Sequence, residues 1–510
     1  MPKSQLMPAL LAACAACAAA RAQEAQRATT LTIYSTAQPG ALPPEFYLPG
    51  TQLRGYIQQI PGYAIVKQEQ TMTIDEGRGV IRYRDVASQI DPTTVRFESV
   101  TDPEGTRVLE QNYEFDLVST EKLMERFLDK VITVEQARGD TVETFTGKLL
   151  TTAGGIVLQG EDGKVIVVNG YSNARFPELP GGLITRPTLV WHVTAAKKGE
   201  QRTRVSYETK AMTWWTDYNI VFEEGKDANS ALLDIGAWVS IVNQSGASYD
   251  DAKLKLIAGD VHRAPVQPQY RMREEKMAMR MDAAAAEMGF EEKAFFEYHL
   301  YTLGRPTTLP DNSTKQIELF PAAQNVPAEK VLVYFGLPMV YPIYGAPMTD
   351  RNFGNESNKD IDIYLRFKNE EKAGMGMPLP SGRIRVSKLD PADQSLEFVG
   401  EDKIDHTPKD EEVLLKLGSA FDVVGERTQT DFQIDTNRKW VEESFRIQIR
   451  NHKTEPVKVI VKELMYRWTN WKITKSTHEY SKEDARTVHF PVTVEKDGEA
   501  TIEYTVKYTW

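Results

Sequence analysis

Apolar and polar residues alternate with a period of two along much of the chain, as in strands that bury one face. The last segment carries this pattern best. Ile502, Tyr504, Val506, Tyr508 and Trp510 fall on one face, and Thr501, Glu503, Thr505, Lys507 and Thr509 fall on the other. Phe445, Ile447 and Ile449 alternate with Arg446, Gln448 and Arg450. After the turn over 451–456, the run 457–461 is expected to return as a second strand. Residues 71–74 and 80–84 flank a loop holding Gly77 and Gly79, which predicts a hairpin. In Lys253-Leu254-Lys255-Leu256 the lysines must face water if the leucines face a core.

One stretch changes period. Ser119 is placed to cap a helix whose Leu123, Phe127 and Leu128 share a face. Short strands over 131–134, 142–150, 156–159 and 165–168 follow, separated by glycine turns, which suggests a small closed barrel, SH3-like or Sm-like. Acids outnumber bases between Glu121 and Gly170 and aromatic residues do not cluster there, so the module reads as packing rather than RNA binding. Prolines and glycines over 38–61 suit an irregular insertion. Trp191, Trp214 and Trp215 are expected to pin sheet to sheet, with a carbohydrate-stacking platform as the alternative.

These patterns divide the chain into a leader at 1–22, an N-terminal β domain at 23–118, a helix-plus-barrel module at 119–172 and a central β-sandwich at 173–264. A helical or loose linker at 265–297 and a C-terminal β-sandwich domain at 298–510 complete it. The expected fold is mainly β and multidomain: β-sandwiches plus a small SH3/Sm-like barrel, with one helical linker.

The leader bounds the compartment. Lys3, an apolar stretch over 6–20 and Ala20-Arg21-Ala22 form a signal-peptide pattern, which puts the mature start at Gln23. Leu11-Ala12-Ala13-Cys14 also has the form of a lipobox, which would give a lipid anchor at Cys14. No later stretch reaches the ~20 apolar residues of a spanning helix. Both cysteines, Cys14 and Cys17, lie in the leader, so cleavage at Gln23 excludes disulfides and thiolate chemistry. The net charge is −11 without long runs of one sign, which argues against nucleic acid or anionic lipid as partner.

Chemistry is thinly signalled, since HExxH, GxSxG, GxxxxGK[ST] and GxGxxG are all absent and the one CxxC, Cys14-Ala15-Ala16-Cys17, lies in the leader. Asp402, Asp405 and His406, beside Asp410, Glu411 and Glu412, place carboxylates near an imidazole and are the weak catalytic candidates. A hydrogen-bonded turn is the plainer reading. Asp350, Asn352, Asp360 and Asp362, with Asn355, Glu356 and Asn358, are hard oxygen donors that could suit calcium, although Gly354 and the lack of a closing glutamate depart from the loop pattern. Met272, Met277, Met279, Met281 and Met288 could hold copper(I), but no His or Cys accompanies them and flexible fillers explain them. No cofactor is expected.

Longer motifs carry a resemblance. Leu179-Pro180-Gly181-Gly182-Leu183, Thr213-Trp214-Trp215-Thr216-Asp217-Tyr218, Asn243-Gln244-Ser245-Gly246, Met377-Pro378-Leu379-Pro380-Ser381-Gly382, His406-Thr407-Pro408-Lys409-Asp410-Glu411 and Arg450-Asn451-His452-Lys453 resemble the bacterial exported proteins with domain of unknown function 4139. The chain lacks the long coiled coil that some relatives carry. The resemblance implies an exported β-rich protein and no established activity. The expectation is a non-catalytic binding or scaffold protein of the periplasm or cell surface, partnered by an envelope protein or polymer. An envelope-polymer hydrolase and an outer-membrane β-barrel are the alternatives.

Overall fold

The computed structural model describes residues 27–34, 60–139, 141–152, 155–180, 183–259, 261, 290–295, 298–338, 343, 345–355 and 357–510. The leader with Cys14, nearly all of the proline-rich insertion and the methionine-rich stretch lie outside the described residues.

Strands dominate, as the alternation predicts. The chain opens with β1 (Ala28–Tyr34), β2 (Tyr63–Ile74), β3 (Gly77–Arg84), β4 (Ile90–Ser99) and β5 (Thr106–Glu114). Then come α1 (Thr120–Arg126), β6 (Val131–Arg138), β7 (Thr141–Thr151), β8 (Ile156–Gln159), β9 (Val165–Val168) and β10 (Asn173–Arg175). The middle holds β11 (Thr188–Ala195), β12 (Gly199–Lys210), β13 (Met212–Glu224), β14 (Ser230–Asn243) and β15 (Tyr249–Ala258). Next are β16 (Phe290–Phe295), β17 (Tyr298–Leu303), β18 (Thr307–Leu309), β19 (Ser313–Phe335), β20 (Asp360–Lys368), β21 (Gly382–Leu389) and β22 (Leu396–Ile404). The chain ends with β23 (Glu412–Asp435), β24 (Trp440–Asn451), β25 (Val457–Leu464), β26 (Trp471–Ser476), β27 (Ser481–Lys482), β28 (Thr487–Val494) and β29 (Gly498–Thr509). The end of the expected linker at 265–297 is therefore a strand, β16, paired with β17.

The first sheet runs β16-β17-β15-β1-β2-β12-β4 with β18 beside β15, and a second sheet runs β3-β11-β5. Their apolar faces meet at Trp191 of β11, which is fully buried. Its ring centroid lies 4.9 Å from that of Phe97 in the first sheet, and its Nε1 donates to Gln111 at 2.8 Å. Trp214 is also buried, with its ring 6.3 Å from that of Tyr301, whereas Trp215 lies half-buried on the opposite face of β13. The expected hairpin over 71–84 is corrected, because β2 pairs with β1 and β12 while β3 pairs with β11. Asp75-Glu76 carries the chain from one sheet to the other, and Gly77 takes φ +84° there.

The expected boundaries at 118 and 173 are crossed by ladders. β1 lies between β2 and β15, and β11 lies between β3 and β5. The segments 23–118 and 173–264 thus build one sandwich together, since each alone would leave unpaired strand edges. The intervening module keeps its own core of Met124, Phe127, Ile132, Val134, Leu149 and Leu158. Ser119 caps α1 as expected, accepting from the Lys122 amide at 3.2 Å. Met124 and Phe127 face inward and Leu128 is exposed, which corrects the expected face. The module's ladder runs β10-β6-β7-β8-β9, with no ladder between β9 and β10 among the described residues.

The largest sheet follows β22-β21-β13-β14-β19-β20-β23-β24-β29-β26. Its first seven strands come full circle, because β22 lies against the start of β23. Asp402 Oδ2 accepts from the Lys416 amide at 2.6 Å, and a Cβ on Gly400 would meet the Leu417 carbonyl oxygen at 2.6 Å. Ile220, Leu233, Leu319, Leu365, Val386 and Leu415 are buried in this region. The remaining strands face β25 and β28 across a second core that includes Phe445, Ile447, Val459, Phe490 and Tyr504. In β29, Ile502, Tyr504, Val506 and Tyr508 are buried and their neighbours are not, as the alternation predicts. The run 457–461 is a strand but not the partner of β24, since β25 pairs with β19 and β28. The turn before it changes layer.

Candidate functional site

Of the three residues singled out for catalysis, Asp402 and His406 have structural partners. Asp402, half-buried on β22, accepts from the Lys403 amide at 2.8 Å as well as from Lys416, so its carboxylate stitches the seam between β22 and β23. Asp405 and His406 lie past the end of β22, both exposed. His406 Nδ1 accepts from the Ser381 amide at 3.0 Å, and Thr407 bridges to Leu379. Buried Asn369 completes this corner by donating to the Met377 carbonyl at 2.8 Å and the Pro408 carbonyl at 3.0 Å. Two of the quoted motifs, 377–382 and 406–411, thus meet around one asparagine.

Buried asparagines recur where the other motifs turn. Asn243 donates to the carbonyls of Ala247, Leu309 and Pro310, and Asn451 to those of Glu455, Val494 and Glu495. Asparagine followed by a turn was the available signal. A fully buried amide that satisfies several loop carbonyls accounts for these residues without chemistry.

The oxygen-rich stretch does surround cations, but they are arginines. Arg467 Nη1 donates to the carbonyls of Met348 at 3.1 Å and Asp350 at 2.7 Å, and its Nη2 donates to that of Phe353 at 3.0 Å. Arg427 Nη1 donates to the Gly354 carbonyl at 3.0 Å. Two of the calcium candidates engage other groups: Asp350 accepts from the Asn352 amide at 2.9 Å and Asp362 pairs with Lys416 at 2.6 Å. No group of three or more His, Cys, Asp or Glu converges to hold a metal among the described residues.

Both arginines are buried against glutamates. Arg427 Nε lies 3.1 and 3.0 Å from the two carboxylate oxygens of Glu463, and Arg467 Nε donates to Glu443 at 2.7 Å. Tyr504 donates to Glu463, and the Arg427 guanidinium sits 3.7 Å over the Phe445 ring. Burial raises Glu443 above the usual carboxylate range even though Arg467 and Arg427 oppose the shift. With side chains 0–1% exposed, the four charges cannot meet a soluble substrate. They fasten the 345–355 loop to the C-terminal core.

An accessible site lies on the outer face of the first sheet, where a groove of about 640 Å³ is lined by Thr30, Thr32, Lys67, Ser206, Lys253 and Lys255 with neighbouring charges. Alternation creates it, because Leu31, Ile33, Val66, Val205, Leu254 and Leu256 point into the core and send the intervening residues outward. Arg204 is held by Glu69 and Glu98, both at 2.6 Å. Lys67, Lys253 and Lys255 make no ion pair among the described residues, and Lys67 and Lys253 are exposed. Five basic and three acidic residues line the groove, so it is locally positive on a chain of net charge −11. The lysines at 253 and 255 were legible as water-facing. Their alignment with Lys67 was not.

No protein-family model matches the chain, and no curated protein matches it.

Proposed function

We propose that this chain is an exported, non-catalytic binding protein of the bacterial cell envelope that holds an envelope polymer on the outer face of its first sheet. The carrying observation is the groove between β15 and β4, a preformed polar surface with three lysines free of ion pairs among the described residues. The leader pattern and the motifs resembling exported proteins support the compartment. A hydrolase centred on Asp402, Asp405 and His406 is disfavoured, because Asp402 and His406 accept backbone amides in a sheet seam and a corner. An outer-membrane barrel is disfavoured by the circle of strands, whose inward residues are apolar while Arg383, Arg385 and Lys416 face outward.

A photoreactive amino acid at Thr30, compared with one at Thr501 on the far C-terminal strand, tests the reading in intact cells. The expected result is a polymer adduct at position 30 alone. Equal labelling at both positions, or none at position 30, would overturn it.

A further inference from the structure

The register of the first sheet places side chains in a row across five strands. Lys253 is opposite Thr30, Thr30 opposite Lys67, Lys67 opposite Ser206, and Ser206 opposite Arg96. Residues in register share a face, so the row reads cation, hydroxyl, cation, hydroxyl, cation. Strands are about 4.8 Å apart, which puts successive cations about 10 Å apart. Two linked pyranose rings span a similar length. Thr32 and Lys255 begin a parallel row two residues on.

We propose that the groove binds a linear acidic polysaccharide carrying one carboxylate per disaccharide, laid across the strands. This rests on the binding reading above and names its ligand. Lys253, Lys67 and Arg96 would meet the carboxylates, and Thr30 and Ser206 the hydroxyls of the intervening neutral sugars. Arg96 is tied only loosely, 3.8 Å from Glu98. Glu69 and Glu98, each bound to Arg204, border the row on one side and repel charge placed off it. The protein's overall acidity works against densely charged polymers such as nucleic acid, and the row offers no aromatic ring on which a base could stack. A sparsely charged sugar chain meets both conditions.

The test is calorimetric titration of the full chain with hyaluronate oligosaccharides long enough to cross the five strands. Stoichiometric binding is expected, and it should disappear at about 1 M salt, where charges are screened within about 3 Å. The variant Lys67→Gln/Lys253→Gln should weaken it about tenfold, the effect of two exposed charge pairs lost together. Lys482→Gln, remote in the C-terminal sandwich, should leave it unchanged. Polygalacturonate, with a carboxylate on every sugar, should bind no tighter despite its greater charge; tighter binding would overturn the spacing argument.

Tighter binding of poly-glutamate or of a single-stranded oligonucleotide would overturn the ligand class. Binding of neutral dextran in place of hyaluronate would overturn the acidic ligand but leave the binding reading standing. Failure of every probe together with no adduct at Thr30 in cells would remove both.

Discussion

Replacing Glu463 by leucine isolates the energetics of the buried ion pairs. The change strips Arg427 of the carboxylate whose two oxygens its Nε contacts and leaves the guanidinium the Gly354 carbonyl and the rings of Phe445 and Tyr466. Tyr504 also loses its acceptor. Removing one member of a buried pair typically destabilises by about 3–5 kcal/mol. The cation–π contact offsets up to about 2 kcal/mol, and the orphaned Tyr504 hydroxyl costs about 1–3 kcal/mol, so the net loss should stay near 3–5 kcal/mol.

The double variant Arg427→Met/Glu463→Leu removes both charges at once. It should be less destabilised than Glu463→Leu alone, because apolar replacement of a buried pair is often neutral and only the orphaned Tyr504 hydroxyl, about 1–3 kcal/mol, remains. Hydrogen exchange of peptides from β23, β24 and β29, followed by mass spectrometry, measures opening of this core alone. Losses of less than about 1 kcal/mol in each of the single variants Glu463→Leu and Arg427→Met, or a double variant as damaged as their sum, would refute the reasoning.

Two further outcomes follow from local geometry. Gly425→Ala would bring a Cβ to 2.2 Å from the buried Tyr334 ring and should cost about 1–3 kcal/mol in a urea denaturation assay; Gly79→Ala, whose nearest neighbour would be Val193 at 3.9 Å, should stay within about 0.5 kcal/mol in the same assay. His489 is pushed below its ordinary value of 6.5 by burial, with Glu483 opposing. Its contribution to stability is therefore present above pH 6.5 and is lost as pH falls through the lower folded value. An NMR titration midpoint at or above 6.5 would contradict this.

What the linear sequence determines here is which residues are strands and which face of each strand is apolar. β29, β24 and the Lys253–Leu256 segment could be read side chain by side chain, because a period of two is a local property of the backbone. Trp191 and Trp214 were legible as core for a similar reason, since large rings bury area wherever they sit. Partner choice was not local. An alternating strand satisfies its backbone equally well with a neighbour in sequence or with one far along the chain, so the expected pairing of β2 with β3 and of β24 with β25 gave way to changes of layer. The same long-range pairing merged two expected domains and aligned Lys253, Lys67 and Arg96, which lie far apart in the chain. It also turned a suspected calcium loop into the collar of two arginines. Alternation exposes a lysine, but only the register of a folded sheet decides which charges stand together.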